Sequence, residues 1–524
     1  MTSHNGQRSQ RSSATLRIRR FNPDLHTGPY FDEFEIEFAQ DTTLLDVLEE
    51  IKATRDGSLT FRRSCRHSIC GSCGVNVNGL HMLACSTPVA DCLDAEGVIT
   101  VSPLASLPVI KDLVVDRGSF WQQYERVKPW LIPPAELPER EFLVDPAEVA
   151  SYKNAETCIM CGVCYSACPV IMVDKGFVGP HAMLKAFLRV SDSRDSAHAE
   201  HMADIATVWD CTTCYACVDQ CPKDLVPGHV SRDLRSILVE EGKAPRSIGS
   251  MLTSTFRNNN PFEMAHADRT LWAADLALPG ALDAPVDTLY FTCCMSCYDP
   301  RGQKSARALV EVFRAAGVDF GTLGGEEACC GSEVRRAGEA GLFEMIVEER
   351  SALLGEVQAG QMTVLSPHCF DVYRHHYPDL PYPVEHYSQQ LARLIEEGRL
   401  TFSRALDKRV TYHDPCYLGI QNRVFEEPRT VLRSIPGVEL VEMAHHHEAS
   451  LCCGGGGGRM WFEGHDREAQ IAHVRAREAA ATGAQVLATA CPFCLNMLND
   501  AVKTLGLDDR LEVKDIAELV AEAL

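Results

Sequence analysis

Cysteine carries the chemistry of this sequence, and its spacing sorts that chemistry. The chain has 24 cysteines. Cys65, Cys70, Cys73 and Cys85 come first, with Cys92 trailing. Two tighter runs follow, Cys158, Cys161, Cys164, Cys168 and Cys211, Cys214, Cys217, Cys221. After roughly seventy residues without any, eleven more run from Cys293 to Cys494. These include two adjacent pairs, Cys329-Cys330 and Cys452-Cys453, each followed by glycine. In a reducing compartment clustered thiols mean metal or redox chemistry rather than disulfides.

Cys65-x4-Cys70-x2-Cys73 with a distant Cys85 is the plant-type spacing for a [2Fe–2S] cluster. Small residues at Gly71, Ser72 and Gly74 let backbone N–H groups approach the sulfurs. Zinc loops rarely use this spacing. Cys158-x2-Cys161-x2-Cys164-x3-Cys168-Pro169 is the bacterial ferredoxin run, and Cys211 to Pro222 repeats it. In such pairs the fourth cysteine of each run serves the other run's cluster. Cys158, Cys161, Cys164 and Cys221 are therefore expected to hold one [4Fe–4S] cluster, and Cys211, Cys214, Cys217 and Cys168 a second. Cys92 lies outside every pattern and reads as a small buried hydrophobe.

The last eleven cysteines repeat internally. Between Cys294 and the first Cys-Cys-Gly lie 34 residues, and between Cys416 and the second lie 35. Ser366-Pro367-His368-Cys369 answers Cys491-Pro492-Phe493-Cys494. The second copy is complete: Cys416, Cys452, Cys453, Cys491 and Cys494. The first has Cys294, Cys329, Cys330 and Cys369, with Ser366 where a cysteine is expected and extra thiols at Cys293 and Cys297. Cys297, or else Cys293, is expected to compensate; an altered or empty first site is the alternative. The glycine run 454–458 gives backbone donors and room beside sulfurs. It lacks the Lys-Ser/Thr that a phosphate loop needs. His445, His446 and His447 read as a solvated loop, while His368 and His413 sit beside ligands and read as residues that orient loops.

The elements that must position these sets differ along the chain. Leu16–Arg19 and Phe34–Phe38 alternate as strands, and Thr43–Thr54 has helical spacing. From about 120 to 241 the pattern is mostly helical. From 288 it becomes α/β, with a strand at Leu289–Phe291 and a helix from about Gln303 to Ala316. This divides the chain into a disordered tail (1–13), a [2Fe–2S] domain (14–108), a helical domain for two [4Fe–4S] clusters (109–245), a connector (246–285) and two lobes (286–404 and 405–524).

With 524 residues and a net charge of −22, the chain can bury several cores without staples and is poorly suited to nucleic acid or anionic membrane. No apolar run approaches the roughly 18 residues that span a bilayer, and Arg19-Arg20 leads into no apolar segment. The expectation is a cytoplasmic protein, with peripheral docking on the cytoplasmic face of the membrane as an option.

The front half resembles the iron–sulfur subunit of succinate dehydrogenase and fumarate reductase over about 14–245. The resemblance rests on Ser64–Cys73, Leu83–Cys85, Phe120–Leu131, Ser191–Asp195 and Cys221–Leu225. It departs at Cys214, where many members lack cysteine and carry a [3Fe–4S] cluster. Val170–Val173 stands in place of tryptophans, and Thr212 in place of a histidine, which puts the usual quinone pocket in doubt. The back half, about 286–524, resembles the CCG domain of the heterodisulfide reductase B subunit. That resemblance rests on Tyr298–Pro300, Ala328–Gly331, Tyr412–Gly419, Leu451–Trp461 and Ala488–Cys494. It implies that each complete cysteine set can bind an unusual noncubane [4Fe–4S] cluster, although some members carry zinc or another cluster in one lobe. The B subunit of thiol:fumarate reductase joins the same two halves.

The expected fold is multidomain α+β: a β-grasp plant-type ferredoxin domain, a helical two-cluster ferredoxin domain, then duplicated α/β CCG lobes. The resemblances imply one [2Fe–2S] cluster, two [4Fe–4S] clusters and one or two further clusters in the lobes. They also imply FAD on a partner flavoprotein only, since no dinucleotide fingerprint occurs in this chain. No residue here is expected to be catalytic; the carboxylate chemistry belongs to the partner. The function implied is an electron-transfer subunit of a succinate dehydrogenase or fumarate reductase complex, with a quinone or a thiol/disulfide couple at the CCG end. A subunit of a glycerol-3-phosphate or 2-hydroxy acid dehydrogenase is the alternative, but those relatives usually lack the [2Fe–2S] domain. A zinc scaffold would be colourless.

Overall fold

The computed structural model describes residues 11–462, 464 and 470–524. The chain forms two compact units: one takes residues up to 207 together with 216–230, the other residues 208–215 together with 231–524. Residues 1–10 of the expected tail lie outside the described residues. Its last two, Ser12 and Ser13, already belong to a strand.

The first unit opens with a five-stranded mixed sheet. Its strands are β1 (Ser12–Arg20), β2 (Tyr30–Phe38), β3 (Gly74–Val77), β4 (Leu80–Leu83) and β5 (Val98–Ser102), in the order β2-β1-β5-β3-β4. β1 runs antiparallel to β2 and parallel to β5. The helix Leu44–Thr54 buries Leu44, Leu45, Val47, Leu48 and Ile51, the apolar stripe that its spacing predicts. It starts where Thr43 and Asp46 cap each other reciprocally. A short two-stranded piece, β6 (Val109–Lys111) with β7 (Val114–Val115), leads into helices, among them Gly118–Arg126 and Gly179–Val190.

The second unit holds two parallel sheets of the same design. One joins β8 (Val286–Phe291), β9 (Phe320–Gly321), β10 (Ala359–Val364) and β11 (Val384–His386) in the order β11-β10-β8-β9. The other joins β12 (Lys408–His413), β13 (Val438–Val441), β14 (Val486–Thr489) and β15 (Glu512–Asp515) in the order β13-β12-β14-β15. In both, the first strand lies between the second and the third, so the strand order reverses there while all pairs stay parallel. Such a switch point opens a crevice at the carboxyl ends of the two central strands. Cys293 and Ser366 follow β8 and β10 into one crevice, and His413 to Cys416 and Cys491 follow β12 and β14 into the other.

Two expectations change. The helix expected from about Gln303 runs Pro300–Ala315, because Asp299 caps it and Pro300 suits its first turn. The expected connector is largely structured. It contains the helix Arg246–Asn258, which buries Ile248, Met251 and Thr255, and Asn259 ends it at φ 55°. Pro245 and Asn259 flank an amphipathic helix that tolerates Gly249 in its first turn, so the segment is not a linker.

Candidate iron–sulfur centres

In the first unit the loop from Cys65 to Cys73 is bent so that its amides face sulfur. Arg66 and Ser68 adopt φ of 58° and 56°, and Gly71 of 66°. The backbone N–H groups of His67, Ile69 and Cys70 donate to the Cys65 sulfur at 3.4, 3.4 and 3.3 Å. Ser68 N–H donates to the Cys85 sulfur at 3.4 Å. A concave set of amide donors around thiols fits an anionic iron–sulfur cluster held by Cys65, Cys70, Cys73 and Cys85. The loop opens outward: Cys70 and Ile69 are exposed, with Arg62, Arg63, Arg66 and His67 exposed beside them. Cys92 is buried and its thiol donates to the Pro88 carbonyl at 3.4 Å.

Cys158, Cys161, Cys164 and Cys221 line one apolar pocket, together with Phe120, Met160 and Leu184. Burial pushes the Cys161 thiol up to about 11, so its thiolate needs a cation beside it, as cluster iron would provide. Arg117 lies over the Phe120 ring at 4.5 Å and donates to the Met160 carbonyl, which fixes the cysteine loop. Gly71 touches this loop: a side chain there would meet Cys161 Cα at 2.7 Å. The [2Fe–2S] loop and the Cys158–Cys164 loop are thus neighbours within the unit. Of the other expected set, Cys168 and Cys217 belong to this unit and Cys211 and Cys214 to the second.

In the second unit the segment 208–215 sits on the second lobe. Gly456 and Gly457 approach it so closely that a Cβ would meet the Thr212 and Cys211 carbonyl oxygens, each at 2.7 Å. The Thr213 and Tyr417 hydroxyls pair at 2.6 Å, and Gln421 donates to the Thr213 carbonyl at 3.0 Å. Arg235, fully buried, donates to the carbonyls of Val208, Cys211, Arg336 and Gly457 at 2.7 to 2.9 Å. Arg459 pairs with Asp210 at 2.7 Å. The glycine run therefore does more than leave space beside sulfur: it seats the loop that carries Cys211 and Cys214, next to Cys416.

The second lobe gathers all five of its cysteines, each buried. Cys416 is hydrogen-bonded to Cys452, and Cys453 to Cys452 and Cys494. Cys494 is also hydrogen-bonded to Cys491. Gly454 N–H donates to the Cys452 sulfur at 3.2 Å. Converging thiols with amide donors again fit a cluster. Arg429 grips Asp414 at 2.7 and 2.9 Å, which holds the loop before Cys416.

The first lobe brings together most of its thiols. Cys330 and Cys369 lie 3.4 Å apart, Cys294 meets Cys329 and Cys293 meets Cys369. Of the two extra thiols, Cys293 joins this chain of sulfurs, in a strained φ of 72°. Cys297 instead faces the Glu327 carboxylate at 4.0 Å. Ser366 caps the helix Pro367–His376, its Oγ accepting from His368 N–H. Arg269, which lies in the expected connector, donates to the Cys294 sulfur at 3.4 Å and pairs with Glu327 at 2.6 Å. Nothing in the local pattern marks Arg269 or Glu327; both are picked out by long-range packing.

His368 links the lobes. Its ring lies between Tyr417 at 4.0 Å and Phe493 at 4.1 Å, stacked on both. Nδ1 pairs with Glu333 at 2.7 Å, and the ring is also hydrogen-bonded to Cys491. Burial opposes its charge, but Cys491 and Glu333 outweigh burial and lift its pKa to about 10. Glu333 in turn accepts from Gly458 N–H at 3.0 Å. The three histidines expected on a solvated loop are half-buried and paired instead. His445 meets Glu478 at 2.8 Å, His446 meets His447 at 2.6 Å and His447 meets Glu426 at 2.8 Å. Glu442, beside His446 and His447, has both oxygens committed to Arg429.

These features define a multidomain iron–sulfur electron-transfer protein. Family models agree: a 2Fe-2S iron-sulfur cluster binding domain matches residues 15–122, a 4Fe-4S dicluster domain 154–225, and a cysteine-rich domain 288–372 and 410–499. The chain belongs to the family of the B subunit of fumarate reductase (CoM/CoB). It is 31% identical to that protein of Methanothermobacter marburgensis over 517 residues, 96% of this chain and 98% of the relative. Its front part is 38% identical to the succinate dehydrogenase iron-sulfur subunit of Coxiella burnetii over 234 residues, 43% of this chain and 97% of the relative. It is 34% identical to the probable iron-sulfur-binding oxidoreductase FadF of Bacillus subtilis over 330 residues, 60% of this chain. That alignment spans 46% of FadF's own length. No helix among the described residues is long and apolar enough to cross a membrane.

Proposed function

We propose that this chain carries electrons between an FAD-bearing flavoprotein of the succinate dehydrogenase/fumarate reductase type and a quinone or thiol/disulfide partner at the second CCG lobe. Iron–sulfur clusters on its cysteines would supply one-electron transfer, at potentials set by burial, charge and hydrogen bonds to sulfur. The flavoprotein end is the exposed loop around Cys70, where Arg62, with Arg63 and Arg66 sharing the one carboxylate of Glu49, gives a local cationic face on an otherwise acidic chain. The observation that carries the reading is the seat of the 208–215 segment on Gly456 and Gly457. It brings the segment of Cys211 and Cys214 against the lobe whose cysteine set is complete, which supports that lobe as the outlet.

In the first lobe Cys293, Cys294, Cys329, Cys330 and Cys369 form the set that would hold a further cluster, with Cys293 taking the part that Ser366 has left. The chain's residues do no carboxylate chemistry; they position, insulate and tune. The [2Fe–2S] domain weighs against a glycerol-3-phosphate or 2-hydroxy acid dehydrogenase subunit.

Fumarate consumption by the native complex, driven in turn by a quinol, a dithiol and a reduced dye that feeds the flavin directly, tests the proposal. Quinol- or dithiol-driven turnover should vanish in Cys416→Ser while dye-driven turnover survives. A variant that keeps its quinol- and dithiol-driven rates would overturn the assignment of the second lobe as outlet.

A further inference from the structure

His413 ends β12 and is fully buried. One of its ring nitrogens lies within 4.8 Å of the sulfurs of Cys453 and Cys494. A histidine so placed could ligate iron through a nitrogen lone pair, or donate a ring N–H to sulfur. The hydrogen-bond partners of its two ring nitrogens decide between these. Arg475 Nε donates to His413 Nδ1 at 3.0 Å. Arginine is a donor only, so Nδ1 carries the lone pair and the proton of the neutral ring sits on Nε2. Arg475 cannot turn away: it is fully buried and also donates to the His445 carbonyl at 2.7 Å, Glu478 at 2.7 Å and Ser450 Oγ at 3.2 Å. His413 Nε2 meanwhile has no hydrogen-bond partner although it is buried. A buried donor left without a partner is destabilising and calls for an acceptor.

We propose that His413 is a positioning residue for the second-lobe cysteines, its Nε2–H held by Arg475 toward the Cys453 and Cys494 sulfurs as a hydrogen-bond donor and not as a ligand. Phe291 stands at the corresponding place in the first lobe, three residues before Cys294 as His413 is three before Cys416. Only the second lobe has this donor, so the two lobes differ in tuning as well as in cysteine count. The inference rests on a cluster being bound by the second lobe.

The test uses the full chain, purified anaerobically, as wild type, His413→Gln and His413→Leu. The second-lobe signal is the paramagnetic signal lost in Cys416→Ser. Iron per chain should be unchanged in both histidine variants. The midpoint potential of the signal should move to more negative values in His413→Leu and return part of the way in His413→Gln, whose amide can donate. Strong nitrogen hyperfine coupling in the wild type, or loss of iron in His413→Leu, would make His413 a ligand and overturn the proposal. An unmoved potential in His413→Leu would reduce His413 to packing and overturn it equally. If His413→Leu fails to fold, the wild type still decides. An exchangeable ring proton near the signal, with only weak nitrogen coupling, is the expected result. No cluster signal tied to Cys416 would instead remove the premise, the second-lobe outlet itself.

Discussion

Single side chains in the second unit do work that their identity alone does not announce. His368 sits on the short motif that matches the second lobe's Cys491–Cys494, yet its ring serves the other lobe. It stacks on Phe493, its own counterpart, and pairs with Glu333 and Cys491. Ser366, the missing cysteine, has become a helix cap. Together these changes turn a ligand motif into a brace across the lobes. Replacing His368 with alanine leaves Glu333 charged and buried without its ring partner, which costs about 3–5 kcal/mol. His368→Gln, which keeps a donor, should cost roughly 1–2 kcal/mol. Denaturant unfolding of the full chain checks the order; equal losses in the two variants would contradict the brace. The cysteine motifs were legible because metal ligation fixes spacing within a few residues. The partners of His368 were not, because Glu333 is 35 residues away and its position follows from how two lobes pack.

Elements carry the next level of the account. In both parallel sheets cysteines follow the two central strands, and the adjacent pairs follow the edge strands β9 and β13, so one topology explains why each lobe's ligands come from three distant stretches of sequence. β1, β2 and β8, the helix that starts at Thr43 and the duplication could be read from alternation, apolar runs, helical spacing and repeated motifs. The helix Arg246–Asn258 could not, because its Gly249 and flanking Asn and Pro residues read as breakers until Ile248 and Met251 have a surface to bury against. β15 ends on Asp515, which caps Ile516–Ala523 and accepts from the Tyr387 hydroxyl at 2.6 Å. Burial pushes its carboxyl up to about 7, against the Tyr387 hydrogen bond. An unfolded aspartate ionises near ~3.9. Between these values the folded chain keeps a proton that the unfolded chain has lost, so this group's contribution to stability falls as pH rises from about 4 to about 7. Asp515→Asn keeps the cap and removes the titration. Its melting midpoint should vary less with pH across that window, and an unchanged pH profile would show that Asp515 does not titrate there.

At the scale of the whole molecule, the sequence already held the cysteine groups and the family they belong to, but not the way the third group is tied to the back half. That tie depends on Arg235, whose four carbonyl acceptors come from parts of the chain as far as 222 residues away, and on glycines whose role shows only when another backbone lies on them. The proposed function has electrons enter at the loop around Cys70 and leave at the second lobe, with the flavin on a partner. The most direct test is anaerobic isolation of the native complex through this chain, with flavin and iron measured together. The account predicts a flavoprotein of the succinate/fumarate type in equal amount, and iron above the roughly ten atoms that one [2Fe–2S] and two [4Fe–4S] clusters require. A colourless, zinc-bearing chain, or a complex without flavin, would contradict it.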